Sequence, residues 1–338
     1  MNTTTATPQV SKPTLLYRNK FTILLLPLSA VFLFYLFTSI LSAKGFSSFN
    51  YPLHMLLMIN IYIILGFSIN LVTGYTGLLS LGHGAFYGIS AYITVLGLMV
   101  LKISFLPSLL LAVLFNILIS LLVSLPSMRL KHDYFILAVI GFQMVVFTVL
   151  YNWTAVTRGP YGIPGIPRPK ILGLWNVTEN WEYAILSYVF VILVFVYFSR
   201  IDNSSFGRVI KGIRDDELVI ASMGRNVNLM KIYAFAVSAG IAAFAGALFA
   251  TATTYIDPTS FGLDESIFII TVIFIGGSGN LKGVIWGSVF VELLPEVLRF
   301  LSLPDAIAAN LRQIIFGLLL IILMRLKPTG FAGNYDYD

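Results

Sequence analysis

An all-α, polytopic membrane protein of about ten transmembrane helices, with both termini cytoplasmic, is the fold class this chain predicts. Three features carry the expectation: an apolar excess, a division into runs of span length, and the placement of the bases. Over 338 residues, 58% are hydrophobic and 11% charged, and the mean hydropathy is +0.89. A soluble domain of that composition would have no interior large enough to hide its apolar surface. The net charge of +6 sits in short loops beside apolar runs, which marks orientation in a bilayer rather than affinity for nucleic acid. With no cysteine and three scattered histidines, disulfides and thiolate metal sites are excluded and a metal centre is not expected.

Taken in order, residues 1–20 form a polar cytoplasmic tail ending in Arg18 and Lys20. The apolar run 21–43 is longer than a signal-peptide core and reads as an uncleaved first span. Further runs cover 53–73, 80–101, 105–126, 133–151, 182–199, 232–254, 264–276, 284–301 and 307–324, so the membrane domain occupies 21–326, followed by a cytoplasmic tail at 327–338. Spans alternate direction. With the N-terminus inside, Arg129, Lys131, Arg200, Arg208, Lys211, Arg214, Arg225, Lys231, Lys282, Arg325 and Lys327 join the N-terminal bases on the inner side. The outer side holds Lys44, Lys102, Arg158, Arg168, Lys170 and Arg299, fewer in number, as the positive-inside rule requires.

The outer loop 152–181 contains Arg158-Gly-Pro-Tyr-Gly-Ile-Pro-Gly-Ile-Pro-Arg-Pro-Lys170. Its proline content predicts a rigid strap of polyproline II character, neither strand nor helix, and either a plain connector or a rim that meets something arriving from outside. Two glycine-rich stretches interrupt helical regularity on the inner side. Gly74-Tyr-Thr-Gly-Leu-Leu-Ser-Leu-Gly-His-Gly-Ala-Phe-Tyr-Gly88 joins spans two and three, and Gly276-Gly-Ser-Gly-Asn-Leu-Lys-Gly-Val-Ile-Trp-Gly287 takes the matching place between spans eight and nine, the hint of a weak internal repeat. Such stretches either let helices pack closely or break spans beside a pathway, where exposed backbone groups serve an amphoteric solute. On the second reading Asn70, Gly74, Gly77, His83, Gln143, Gly277 and Gly279 are the pathway candidates, against a plainer role in helix–helix hydrogen bonding for Asn70, His83 and Gln143. Glu292, Glu296 and Arg299 stand at helical spacing and read as a local ion-pair group.

The polar interval 200–231 separates spans six and seven and must stand in water. Within it Val209, Ile213, Ile220 and Met223 recur at helical spacing while Arg208, Lys211, Arg214, Asp215 and Glu217 point elsewhere, and Gly224 stops the helix. The expectation is one amphipathic helix over 207–224. It either lies on lipid headgroups or docks in a groove of a protein partner, and its mixed charge suits the partner better.

No signature of chemistry competes with these readings. Gly277-Ser-Gly-Asn-Leu-Lys282 lacks the Gly-Lys-Ser/Thr end of a phosphate loop, and neither a nucleophile elbow nor a His-Glu-x-x-His motif occurs. An enzyme is therefore not expected, and no cofactor is called for. An ion-coupled secondary transporter remains the alternative of another class.

Asn70-Leu-Val-Thr-Gly-Tyr-Thr-Gly-Leu-Leu-Ser-Leu-Gly-His-Gly-Ala-Phe-Tyr-Gly-Ile-Ser-Ala-Tyr92 resembles the signature of the membrane subunits of branched-chain amino-acid ABC importers, the LivM/LivH type. The strap 159–167, the stretch Phe206-Gly-Arg-Val-Ile-Lys-Gly-Ile-Arg-Asp-Asp-Glu217 with Ala221-Ser-Met-Gly224, and Ile275-Gly-Gly-Ser-Gly-Asn-Leu-Lys-Gly283 follow in the family's order over residues 50–330, and the long strap leans towards the LivM subtype. The resemblance implies an inner-membrane permease with the ABC importer fold, paired with a second, similar permease and two cytoplasmic ATPase subunits, which consume the ATP, and fed by an external binding protein. It implies that 207–224 is the coupling helix, with Val209, Ile213, Arg214, Glu217, Ile220, Met223 and Gly224 at the ATPase. Where the family's coupling motif starts Glu-Ala-Ala, this chain reads Leu218-Val219-Ile220. Permeases for urea or short amides share the glycine signature, so cargo stays open within the class.

Overall fold

The structure is a computed structural model and describes residues 50–130, 132–171, 175–299, 311, 314–315, 317–318, 321–322 and 325. The first expected span, 21–43, both tails and most of the tenth span, 307–324, lie outside the described residues.

Long apolar runs became long helices: α1 (Asn50–Ile69), α2 (His83–Met99), α3 (Phe105–Ser127), α4 (His132–Asn152), α6 (Asn180–Asp202), α9 (Val227–Thr253), α10 (Leu263–Gly276) and α11 (Leu281–Arg299). Short helices α5 (Thr154–Thr157), α7 (Ser205–Asp215) and α8 (Glu217–Ser222) lie between them. Among the described residues, five helices are long and apolar enough to cross a membrane, counting α1 with the π turn that extends it to Gly74. The chain is thus an all-α polytopic membrane protein. At 17, 14 and 19 residues, α2, α10 and α11 are shorter than most of the spans around them.

The centre of the bundle is α9, whose Ala, Gly and Ser residues let α1, α2 and α3 come close. A Cβ on Gly246 would stand 1.9 Å from the Ser90 hydroxyl and 2.4 Å from the Tyr87 carbonyl, so any larger residue would force the helices apart. The α10–α11 hairpin is closer still. A Cβ on Gly276 would fall 1.9 Å from the Gly283 carbonyl, and one on Gly287 2.1 Å from the Val272 carbonyl. Close packing, one of the two uses expected of the second glycine stretch, is realised there. By contrast α3 and α4 turn Leu110, Leu114, Leu118, Leu122, Leu137 and Val145 outward, each more than half exposed among the described residues, as helices against lipid do.

At one end of the bundle the strap departs from expectation. Gly159–Tyr161 is a 3-10 turn, and β1 (Ile163–Pro164) pairs antiparallel with β4 (Tyr255–Ile256), just beyond α9. A second small ladder joins β2 (Lys170–Ile171) to β3 (Trp175–Asn176). The prolines did not forbid pairing, because Pro164 sits in a two-residue edge strand, while Gly162 at φ +65° and Gly165 at φ +73° turn the chain so that Ile163 and Ile166 are buried. Ile166 also donates its N–H to the Thr254 carbonyl at 3.1 Å. At the other end, segments 74–80, 127–130, 214–217, 228–231 and 278–279 meet one another. These belong to the base-rich loops assigned to the inner side.

Candidate coupling and gating site

The polar interval starts with a forced turn. Ser204 accepts the Gly207 N–H at 3.0 Å and caps α7, and a Cβ on Gly207 would sit 2.1 Å from the Ile201 carbonyl, so only glycine lets α7 fold back on α6. The apolar face of α7, Gly207, Ile210 and Ile213, is buried in the chain's own bundle.

Here the expected single helix over 207–224 is corrected: it is two helices broken at Asp216. That residue is extended, and its carboxylate accepts from the Leu218 N–H at 2.8 Å and the Val219 N–H at 3.3 Å, capping α8. An acidic residue just before an apolar run competes for the backbone donors of the next turn, and here it wins over helix continuation. Gly224, at φ +77°, ends α8 as expected; its N–H reaches the Ala221 carbonyl at 3.0 Å and the Arg225 N–H reaches Ile220 at 3.4 Å, the two bonds of a Schellman closure.

The break redistributes the expected docking stripe. Ile213 is 1% exposed and cannot reach a partner, Val209 is half-buried, and Ile220 packs inward beside Gly212. Met223 stays outside, 72% exposed, joined by Leu218 at 81% and Val219 at 51%. Leu218, Val219 and Met223 therefore form an exposed apolar knob at a polar end of the molecule. Glu217 forms an ion pair with the nearly buried Lys231 at the start of α9; both line a cavity of 280 Å³ with Leu78, Arg129 and Phe135.

Arg214 turns inward rather than towards a partner. Its guanidinium donates to the Gly74 carbonyl, at the end of the π turn that closes α1, and to the Ser278 hydroxyl at 3.2 Å, in the loop between α10 and α11. Gly77, at φ +74°, lies against the same side chain; a Cβ there would be 3.2 Å from the Arg214 Cγ. The two glycine breaks also touch directly, since Asn70 Oδ1 accepts the Gly279 N–H at 2.9 Å. Gly74 has no alternative: a Cβ would lie 2.0 Å from Asn70 Oδ1 and 2.9 Å from the Gly279 nitrogen. Asn70, Gly74, Gly277, Ser278 and Gly279 are all buried. A second tie runs beside the first: Asp202, at the end of α6, accepts from Lys211 and from the Tyr75 hydroxyl, each at 2.5 Å, and the Lys211 ammonium stands 4.5 Å over the Tyr75 ring.

The remaining pathway candidates lie apart from this cluster and serve helix–helix hydrogen bonds here. His83 Nε2 is 2.7 Å from the Ser238 hydroxyl, which donates to the Ser68 carbonyl at 2.7 Å, joining α2, α9 and α1. Gln143 donates to the Phe261 carbonyl at 2.8 Å and accepts from Ser266, which itself accepts the Gly84 N–H at 3.0 Å. Glu292 lies in α11; the side chains of Glu296 and Arg299 fall outside the described residues, so their expected ion pair does too. Asp202, Tyr75, Lys211 as a tether, Ser278 and the Leu218–Val219 knob were not among the sequence candidates. Ser278 lay inside a stretch already singled out, and an N-cap signal at Asp216 stood in the run Asp215-Asp216-Glu217, but the Asp202–Lys211–Tyr75 triangle has no local signal.

The family pattern described as the branched-chain amino acid transport system permease component matches residues 51–324. The high-affinity branched-chain amino acid transport system permease protein LivM of Salmonella typhimurium is 32% identical over 295 residues, covering 81% of this chain and 68% of that protein. The LivM protein of Escherichia coli K12 is 31% identical, with coverage of 80% and 67%. The corresponding LivH protein of that strain is 22% identical, with coverage of 82% and 92%. No solved structure shows significant similarity.

Proposed function

The chain belongs to the permease-component family of branched-chain amino acid transport systems, and we propose that it is the membrane subunit of an ATP-driven importer of branched-chain and related hydrophobic amino acids. In this reading it lies in the plasma or inner membrane with ten spans and both termini in the cytoplasm. It pairs with a second permease of the LivH kind, receives cargo from an external binding protein at the strap, and leaves ATP hydrolysis to two partner subunits. The observation that carries the coupling role is the knob Leu218, Val219 and Met223: three large apolar side chains held in water on a capped helix, at the end where the base-rich loops gather. An apolar face so placed favours a groove on another protein. The inner end of the pathway is then the meeting of the glycine breaks at Asn70, Gly74, Gly77, Gly277 and Gly279, with His83 and Gln143 holding the helices that surround it.

Purification in mild detergent tests the reading. Two ATP-binding subunits and a second permease are expected to accompany the chain, and leucine-loaded binding protein is expected to stimulate ATP hydrolysis several-fold in reconstituted vesicles. Uptake that collapses with an uncoupler and persists without any ATPase subunit would reverse it in favour of an ion-coupled carrier. Stimulation by urea or a short amide and not by leucine would move the cargo.

A further inference from the structure

We infer that Arg214 is not an ATPase contact but a positioning residue, the bolt of the inner gate, holding both glycine breaks shut and releasing them when the docking helix moves. The inference rests on the importer reading and goes beyond it by naming the side chain through which motion at α8 reaches the pathway.

Three observations converge on it. One guanidinium bridges two separate interruptions, taking the Gly74 carbonyl from one and the Ser278 hydroxyl from the other, 64 residues away from Arg214 in the chain. Carbonyls at a helix end lack an intrahelical donor, so this bond meets a standing need, and a single guanidinium nitrogen, Nη1, serves both acceptors because its hydrogens are held in fixed directions by the planar group, where an ammonium is a freely turning point charge. Next, Arg214 is placed in the last turn of α7, two residues before the Asp216 break, so α8 can pivot while α7 carries the side chain. Ile220 of α8 packs beside Gly212 of α7, and a Cβ on Gly212 would come 2.8 Å from the Ile220 Cδ1, so movement of α8 presses on the turn that bears Arg214. Finally, the site beneath the bolt is poised rather than saturated. Asn70 Nδ2 and the Thr73 hydroxyl are buried at the first break without a hydrogen-bond partner among the described residues, polar groups that gain from exposure when the breaks part. The nearby Lys211–Asp202–Tyr75 tie keeps α7 seated on α6 and on the first break, and so gives the bolt a fixed mounting.

The test uses the assembled complex in vesicles and the chain's lack of cysteine, which makes any introduced thiol unique in this chain once its band is resolved from the partner subunits by electrophoresis. Thr76→Cys and, separately, Thr73→Cys replace residues that are now buried at the first break and do not bond Arg214 themselves. With Arg214 present, each thiol is expected to be shielded from a water-soluble maleimide in one nucleotide state and labelled at least tenfold faster in the other, between nucleotide-free and ATP-trapped complexes. Arg214→Gln is expected to leave subunit stoichiometry intact, to make labelling fast in both states, and to lower the ratio of receptor-stimulated to basal ATP hydrolysis by about tenfold, within the range that coupling between two sites spans. Arg214→Lys restores charge without the length and fixed planar geometry that aim Nη1 at both acceptors, and is expected to recover less than half of that ratio. Labelling of both thiols that ignores nucleotide, or full coupling in Arg214→Gln, overturns the bolt. A parent complex that neither recruits ATPase subunits nor answers to leucine-loaded receptor sinks the importer reading instead, so the two failures are told apart.

Discussion

The two helices of the polar interval, α7 and α8, share a charge-rich stretch and an apolar stripe, yet they use that stripe in opposite ways. In α7 the apolar face of Ile210 and Ile213 is sealed against the chain's own helices, while α8 buries no residue at all and presents Leu218, Val219 and Met223 to its surroundings. Amphipathic spacing says that a face must be covered, and says nothing about what covers it. The dividing point is one carboxylate, Asp216, which ends one helix and starts the next. On the proposed importer reading the difference gives the two helices distinct duties, α7 as the mounting and α8 as the contact.

Substitutions can break that contrast, and the largest effect is expected from charge. Ile210→Asp places an unpaired carboxylate in a fully buried position and is expected to cost about 4 kcal/mol or more, read as loss of the folded chain in detergent by size-exclusion chromatography. The pair Leu218→Asp and Met223→Asp is expected to leave the melting temperature of the isolated permease within about 2 °C, because neither side chain is covered, and to abolish recovery of ATPase subunits. If the outcomes of the two experiments were exchanged, the assignment of mounting and contact would be wrong. A smaller effect belongs to the hinge: Asp216→Ala removes two capping bonds and is expected to cost about 1 kcal/mol of α8 order, seen as faster amide exchange at Leu218 and Val219 and a several-fold weaker grip on the ATPase. Least of all is expected from Glu217→Gln. The Glu217 side chain is 53% exposed, which screens its half of the pair, and glutamine keeps a carbonyl oxygen that still accepts from the nearly buried Lys231 ammonium, so about 1 kcal/mol is at stake in thermal unfolding.

The helix pattern was readable because hydropathy integrates over many residues: the runs from 53–73 to 284–301 each correspond to a helix with ends displaced by only a few positions. Glycine stretches were readable as breaks for a similar reason, since five glycines in fifteen residues cannot sustain an ordinary helix. What escaped depends on partners distant in sequence. Pro164 paired with Tyr255 because α9 delivers its far end to the strap, and Arg214 turned inward because two breaks 200 residues apart met beneath it. The stripe Val209, Ile213, Ile220 and Met223 failed as a unit because periodicity was carried across Asp216, where the backbone leaves the helix.

The long central helix α9 begins at the Asn226 cap just after α8 and ends at Thr254, whose carbonyl anchors the strap. Its 27 residues extend about 40 Å at the helical rise and include no proline, the usual cause of a sharp bend. A stiff rod pinned at both extremities conveys displacement along its length in either direction. A shift at the strap and a shift at α8 can thus share a single piece of backbone, with no relay of side chains in between.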